Sequence, residues 1–427
     1  MLVSVLKFVS EQLTKLNGLL DALRANPFYA AKLAGTGLLD GVTNLSEFSA
    51  RCPFTTKAEL VADQQAHPPY GTNLTFPLER YTRCHQTSGS SGSPLRWLDT
   101  PESWTWMLDN WETVHRQAGT TAADRIFFAF SFGPFLGFWT AFESAQRLGC
   151  LVISGGGMTS VARLKAILDL QATILCCTPT YALHLAEVAA KEGLDLRRSC
   201  VKTLSVAGEP GGSIPATRAR LEELWPGARV YDHHGMTEVG PVSYECPDRP
   251  GVLNIIRRAF IGEVVDPATG QSVGNEGRGE LILTTLGRTG SPLLRYRTGD
   301  LVQLSTLNSH PATSPIDSSD LALEGGILGR VDDMVVVRGV NVYPSAIEEI
   351  IRRVGGVAEY QVHVSQRQAL TELTVTVEPA AQVAGPELAG KLTAAFGSSL
   401  ALRVPVALAA PGALPRFESK AKRWLRE

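Results

Sequence analysis

Long apolar runs are missing from this chain. No stretch approaches the roughly 18 consecutive apolar residues of a membrane-spanning helix, so no membrane span is expected. The opening Met1-Leu2-Val3-Ser4-Val5-Leu6-Lys7-Phe8-Val9 is apolar, but Glu11, Lys15 and Asp21 continue it as an amphipathic helix. It lacks a basic start and a small-residue cleavage site, which argues against a signal peptide. Paired cysteines are missing too. Seven cysteines stand at 52, 84, 150, 176, 177, 200 and 246 with no CxxC pair, so neither a zinc ribbon nor a disulfide framework is indicated. A reduced cytoplasm fits that usage. An excess of one charge is also absent: a net charge of -2 gives no global attraction to nucleic acid or a membrane surface. No GxxxxGK[ST] sequence occurs, so a lysine-closed phosphate loop is excluded.

What is present describes a globular protein of 427 residues, 44% hydrophobic, and more than one core usually serves. Residues 1–60 read as helices with short loops, ending in Pro53-Phe54-Thr55-Thr56-Lys57. The segment 81–94 then contains Thr87-Ser88-Gly89-Ser90-Ser91-Gly92-Ser93-Pro94. Its hydroxyls and unhindered N–H groups suit phosphate oxygens, although such composition by itself more often describes a linker. The strand-like Leu95-Arg96-Trp97-Leu98 that follows embeds it in a domain. A helical pattern covers 102–118. From 126 to 139 the chain is densely aromatic, with Phe127, Phe128, Phe130, Phe132, Phe135, Phe138 and Trp139 around Gly133 and Gly137. That run reads either as plain core or as the wall of a pocket for a flat apolar group.

Short apolar strands at 150–154, 172–177, 204–207 and 228–231 alternate with helical patterns near 160–170, 181–192 and 213–225. The alternation predicts a largely parallel sheet covered by helices. Ligands of such sheets bind at the carboxyl ends of strands, and three strands run straight into polar turns. These are Thr178-Pro179-Thr180, Gly208-Glu209-Pro210 and Asp232-His233-His234-Gly235-Met236-Thr237-Glu238. Residues 251–303 turn to β-hairpins, closing on Arg295-Tyr296-Arg297-Thr298-Gly299-Asp300, and 305–320 reads as a mobile polar loop. The stretch 329–344 joins a glycine-led turn, the apolar Met334-Val335-Val336-Val337 and an Arg338-Gly339 turn. The apolar run predicts a buried strand, and Asp332-Asp333 marks a place where the chain can pivot. Beyond it, 347–353 and 386–400 look helical and 372–378 alternates as a strand. The end, Leu414 to Arg423, is basic, and its residues alone leave a solvated tail open as one reading.

In this order the segments resemble the adenylate-forming (acyl-activating) ligase superfamily, most closely its phenylacetate–coenzyme A ligase branch, from about Pro53 to the last residues. The resemblance implies an α/β fold: a large N-terminal domain (1–328) of sheets flanked by helices with a β-rich subdomain, a hinge (329–333), and a small mobile α+β C-terminal domain (334–427). It implies Mg-ATP-dependent activation of an aromatic carboxylic acid to an acyl adenylate with release of pyrophosphate, then transfer to the thiol of coenzyme A. Thr87, Ser88, Gly89, Ser90, Ser91 and Gly92 would cradle the phosphates, and Glu238 would hold Mg²⁺. Gly208, Glu209, Pro210, Asp232, His233, His234, Thr237, Asp300 and Arg330 would surround adenine and ribose, with Asp300 accepting the ribose hydroxyls. Lys420 would set a compact positive charge between carboxylate and α-phosphate. Phe132, Phe135, Phe138, Tyr181, Ala207, Gly235 and Met236 would form the acid pocket. Asp332 would be the hinge about which the small domain turns, bringing Arg338 and Gly339 beside a thiol tunnel.

The chain departs from the family pattern at two places. His234 stands where a tyrosine usually faces the adenine, and Phe417-Glu418-Ser419 lacks the glycine common before the lysine, which leaves Lys422 as the fallback. Cys246 stands with Asn254 rather than a histidine, so zinc is not expected. Two other functions stay open: acyl transfer to a carrier-protein thiol or an amine, and a nucleotide- or acyl-binding protein without turnover. A homodimer is compatible with either.

Overall fold

The computed structural model describes residues 2–87, 94–274, 277–305, 321–338, 340–367, 370–417 and 421–426. Ser88, Gly89, Ser90, Ser91, Gly92, Gly339 and Lys420 lie outside the described residues, as does 306–320 of the polar loop. The chain forms two compact units, each assembled from separate stretches.

The first unit comprises Met1–Asp124, Ser131–Gly156 and His233–Gly326. Its N-terminal helix Leu2–Ala22 buries Leu16, Leu19, Leu20 and, just past its end, Leu23. That i, i+3, i+4, i+7 spacing makes one apolar stripe, packed with Tyr29, Phe48, Ile261 and Leu294. The Tyr29 hydroxyl accepts from the Leu294 backbone N–H at 2.8 Å and shares a hydrogen bond with Thr55 Oγ1. Lys57–Ala66 follows as a helix opened by a Thr56/Glu59 capping box, which satisfies two of its free N–H groups. The expected hairpins form a six-stranded sheet in the order Ser243–Cys246, Arg249–Ile255, Ala322–Arg330, Tyr296–Leu304, Arg278–Thr285, Phe260–Val265. Its ladder slips between Glu280 and Ile282, whose partners are Leu301 and Arg297. The extra residues Thr298, Gly299 and Asp300 are thereby pushed out of register, as bulges do.

The second unit comprises Arg125–Phe130, Gly157–Asp232 and Ile327–Glu427. Arg125–Phe128, Ile174–Cys177, Thr203–Val206 and Arg229–Asp232 pair in parallel in that order. Helices Ser160–Asp169, Pro179–Lys191 and Pro215–Leu224 connect them. Thr159 and Thr178 cap the first two through their side-chain oxygens. The C-terminal part pairs Val357–Arg367 with Leu370–Pro379 and adds Val406–Leu408 and Trp424–Arg426 on either side. Helices Pro344–Val354 and Gly385–Leu400 cover it through Ile347, Ile350, Ile351, Leu388, Leu392 and Phe396, packed on Val362, Val375 and Val377. Each such side chain contributes roughly 1.5–3 kcal/mol by leaving water.

Two expectations need correcting. The apolar run near 335 is a half-buried strand, not a buried one: Val335–Val337 pairs antiparallel with Val340–Val342, and while Val335 and Val337 point inward, Val336 is 48% exposed. Alternation across a two-stranded ribbon leaves one face in water. Nor is the basic end a solvated tail, because Trp424–Arg426 is an edge strand paired with Val362, His363 and Val364, and Arg423 is buried. Among the described residues no helix is long and apolar enough to cross a membrane.

Candidate active site

In the first unit one buried ion pair holds the turn that carries Thr237 and Glu238. Arg288 and Asp99 are both fully buried and paired bidentately, Nε to Oδ1 at 2.7 Å and Nη2 to Oδ2 at 2.6 Å. Two charges in such a place are tolerated only when the remaining donors are used. Arg288 Nη1 donates to the backbone carbonyls of Thr237 and Glu238, at 2.6 and 2.9 Å. The turn carrying Glu238 is thus tied to Asp99, the last residue of strand Arg96–Asp99 that follows the Ser/Gly loop. Glu238 itself is 6% exposed, with Lys57 Nζ 3.4 Å from its Oε1.

The neck of the Ser/Gly loop is closed by two hydrogen bonds. The Thr87 N–H donates to the Leu95 carbonyl and the Leu95 N–H to Thr87 Oγ1, both at 3.0 Å. The strand before it is anchored by rings: His85 stacks on Trp104 with centroids 5.2 Å apart, and Arg83 lies over the same indole. Burial pushes the His85 pKa down to about 4. The Gln86 N–H donates to the Pro134 carbonyl, joining the strand to the aromatic segment. There Phe132, at φ +44°, sets its ring edge-on to Trp139 and Phe142, while Phe135 meets Phe138.

His234 and Asp300 meet directly, with Nε2 and Oδ2 3.0 Å apart. The His234 carbonyl accepts from the N–H groups of Val242 and Ser243, and its own N–H donates to Ser243 Oγ. Gly299, at φ +74°, donates its N–H to Glu280 Oε1, and Glu280 also holds Arg297. Asp300 is therefore fixed from below by the bulge. His233 is buried edge-on against Trp111, and burial lowers its pKa to about 3, so it is neutral at pH 7. Gly235 and Met236 form a two-residue strand against Gly240 and Pro241.

The second unit holds the other candidates. Asp232 ends its strand and accepts from Ser213 Oγ at 2.6 Å. A Cβ on Gly212 would come within 2.5 Å of the Asp232 carboxyl carbon, so only glycine fits. Glu209, between Gly208 and Pro210 after Ala207, accepts from the Thr180 N–H with one oxygen and from the Ala421 N–H with the other, both at 2.8 Å. Tyr181 is 1% exposed, its hydroxyl bonded to Arg163 and Ser160. Arg330 and Asp332 form an ion pair at 2.9 Å, and the Asp332 carbonyl accepts from Arg426. Arg338 is exposed at φ +50°, in the loop of the valine hairpin.

Lys57, Asp99 and Arg288 were invisible to sequence reading. Arg288 and Asp99 lie 189 positions apart, and no local periodicity marks either. Lys57 stood in the sequence only as the last residue of the Pro53-Phe54-Thr55-Thr56-Lys57 segment that closes the N-terminal helices.

Residues 86–287 match the AMP-binding enzyme family, and residues 339–426 its C-terminal domain family. The chain is 30% identical to phenylacetate–coenzyme A ligase of Pseudomonas putida, over 92% of this chain and 88% of that one. It is 32% identical to the enzyme of that name from Thermus thermophilus, over 82% and 77%. The chain belongs to the adenylate-forming coenzyme A ligases. Such an AMP-forming acid–thiol ligase uses ATP and coenzyme A as co-substrates. Among solved structures, 2-hydroxyisobutyryl-CoA ligase in the postadenylation state with 2-HIB-AMP superposes with a TM-score of 0.89 at 28% identity, covering 97% of this ligase and 89% of that chain. The same enzyme in the thioesterification state superposes at 0.71.

Proposed function

We propose that this ligase activates an aromatic carboxylic acid. The observation that carries the reading is the ring cluster of Phe132, Trp139 and Phe142 joined through Pro134 to the strand that enters the phosphate loop. Flat rings edge-on to one another offer a face suited to another ring. The names of the relatives from Pseudomonas putida and Thermus thermophilus support the same class.

In the first half-reaction a carboxylate oxygen attacks the α-phosphorus, forming an acyl–phosphate anhydride bond while the bond to pyrophosphate breaks. Thr87 and the Ser88–Gly92 loop hold the phosphates, and Lys420 (Lys422 in reserve) neutralises charge between the reacting groups. The pair of Asp300 and His234, with His233 and Thr237, receives the nucleoside. Gly235 and Met236 complete the acid pocket with Phe135 and Phe138. Glu238 is a buried hard-oxygen ligand beside Lys57. One such carboxylate together with the substrate phosphates would hold Mg²⁺. When bound, it supplies positive charge at the leaving pyrophosphate. In the second half-reaction the coenzyme A sulfur attacks the acyl carbon, the thioester bond forms and AMP leaves. A turn of the 334–427 domain about Asp332, bringing Arg338 and Gly339 to the thiol, separates the two steps.

The 2-hydroxyisobutyryl-CoA ligase likeness favours a second reading, a small branched hydroxy acid. Carboxylate-dependent ATP–pyrophosphate exchange with phenylacetates, benzoates and 2-hydroxyisobutyrate separates them. Exchange confined to aryl acids is the expected result, and exchange with 2-hydroxyisobutyrate alone overturns it. Thioester formation with free coenzyme A then eliminates a carrier-protein thiol or an amine as the required acceptor.

A further inference from the structure

The Glu209 carboxylate faces two backbone N–H groups from distant parts of the second unit. One belongs to Thr180, in the first turn of the Pro179–Lys191 helix, and the other to Ala421, the residue after Lys420. A carboxylate accepting two N–H bonds is a strong, directional clamp. It fixes the main chain beside Lys420 to the loop at the end of the Thr203–Val206 strand.

Arginines flank this clamp on both sides, and each is held twice. Arg416 grips Glu378 in the C-terminal sheet at 2.7 and 3.1 Å, and its Nε reaches Glu187 on the Pro179–Lys191 helix at 3.3 Å. Arg423 grips Glu359 at 2.6 and 3.1 Å, and its Nη1 reaches Thr180 Oγ1 at 3.2 Å. The bidentate partner of each is therefore inside the C-terminal sheet, and the helix offers only a single further bond. Separating tail from helix would leave both guanidiniums paired, so no buried charge would be stranded. Only a small cleft of about 10 Å³, room for about one water, opens there, lined by Glu187, Arg352, Glu359, Arg416 and Arg423 among others. Polar seams of this kind part more readily than apolar cores.

We propose that Glu209 is a positioning residue for the first half-reaction, docking the segment that bears Lys420 and letting it go for the second. This rests on the reading above, in which Lys420 acts only in adenylation. Glu209→Gln is nearly isosteric but turns one acceptor into a donor facing an N–H. It is expected to lower kcat for adenylation at least tenfold while the KM for ATP moves less than twofold. Thioester formation from supplied acyl adenylate should fall less, so the ratio of the two rates drops about tenfold. Glu187→Gln, on the same seam, should shift that ratio in the same direction by a few fold. Equal losses in both half-reactions, or a raised KM for ATP with kcat unchanged, would overturn the proposal. Hydrogen–deuterium exchange of the peptide spanning 414–426 provides a readout independent of turnover. Exchange at least several-fold faster in E209Q is expected, and unchanged exchange sinks the docking role even in a protein that adenylates nothing. Wild-type protein without pyrophosphate exchange would instead count against the functional reading alone.

Discussion

Arg288 shows how a single side chain can govern several parts of a site. Four hydrogen bonds from its guanidinium serve one carboxylate and two carbonyls, with no exposure to water. Arg288→Met would leave Asp99 charged and unpaired in the interior. Removing one partner of a buried pair costs about 3–5 kcal/mol, so the urea midpoint should fall steeply. Pairing it with Asp99→Leu should recover part of that loss, since the stranded charge is gone. A single variant that costs less than about 1 kcal/mol would mean that water reaches Asp99. The His234–Asp300 contact belongs to the same scale. Histidine at 234 was readable in the sequence as a departure from tyrosine, but its bond to Asp300 was not, because 66 residues separate them.

At the scale of elements, the loops after the parallel strands are where packing and chemistry compete for space. Gly212 illustrates it: an added Cβ would press on Asp232 at 2.5 Å and on Val206 Cγ2 at 2.7 Å. Gly212→Ala should therefore displace the Ser213–Asp232 hydrogen bond and destabilise the protein by about 1–3 kcal/mol, the usual cost of overpacking. Thermal unfolding checks it, and an unchanged midpoint would show that the loop yields freely. Strands and helices of this unit were legible beforehand because strand–helix alternation repeats in the sequence. The edge strand Trp424–Arg426 was not, since three residues carry no period and only pairing with Val362–Val364 makes them a strand.

Across the whole molecule, buried histidines set a pH limit. His115 is lowered to about 4 chiefly by burial, against a hydrogen bond to the Ala141 carbonyl, and His85 and His233 are lowered in the same way. Unfolded, each imidazole takes up a proton near pH 6.5, whereas folded it stays neutral down to pH about 4 or about 3. The unfolded chain then binds more protons in that window, so stability is full above pH 6.5 and falls as the pH drops toward 4. His115 alone should account for on the order of 3 kcal/mol of that loss. Glu348 adds to it at lower pH: burial disfavours its charged form, but Arg352 and Arg423 outweigh that and hold its pKa near about 2. Its contribution is present above pH 4.5 and is lost as the pH falls toward 2. Urea midpoints between pH 7.5 and 4.5 test the histidine part, and a flat profile would overturn it.

By itself the sequence determined the α/β class, the succession of strands and helices, and the ligase family, because periodicity, turn residues and ordered motifs are all local. It also placed Glu238, Asp300 and Glu209 on turns that follow strands or interrupt them. Only the tertiary structure decided what those carboxylates touch: Lys57 for Glu238, His234 for Asp300, and the N–H groups of Thr180 and Ala421 for Glu209. The reason is physical. A charged or hydrogen-bonding group takes its partner from whatever folding brings within about 3 Å, and sequence separation carries no record of that distance.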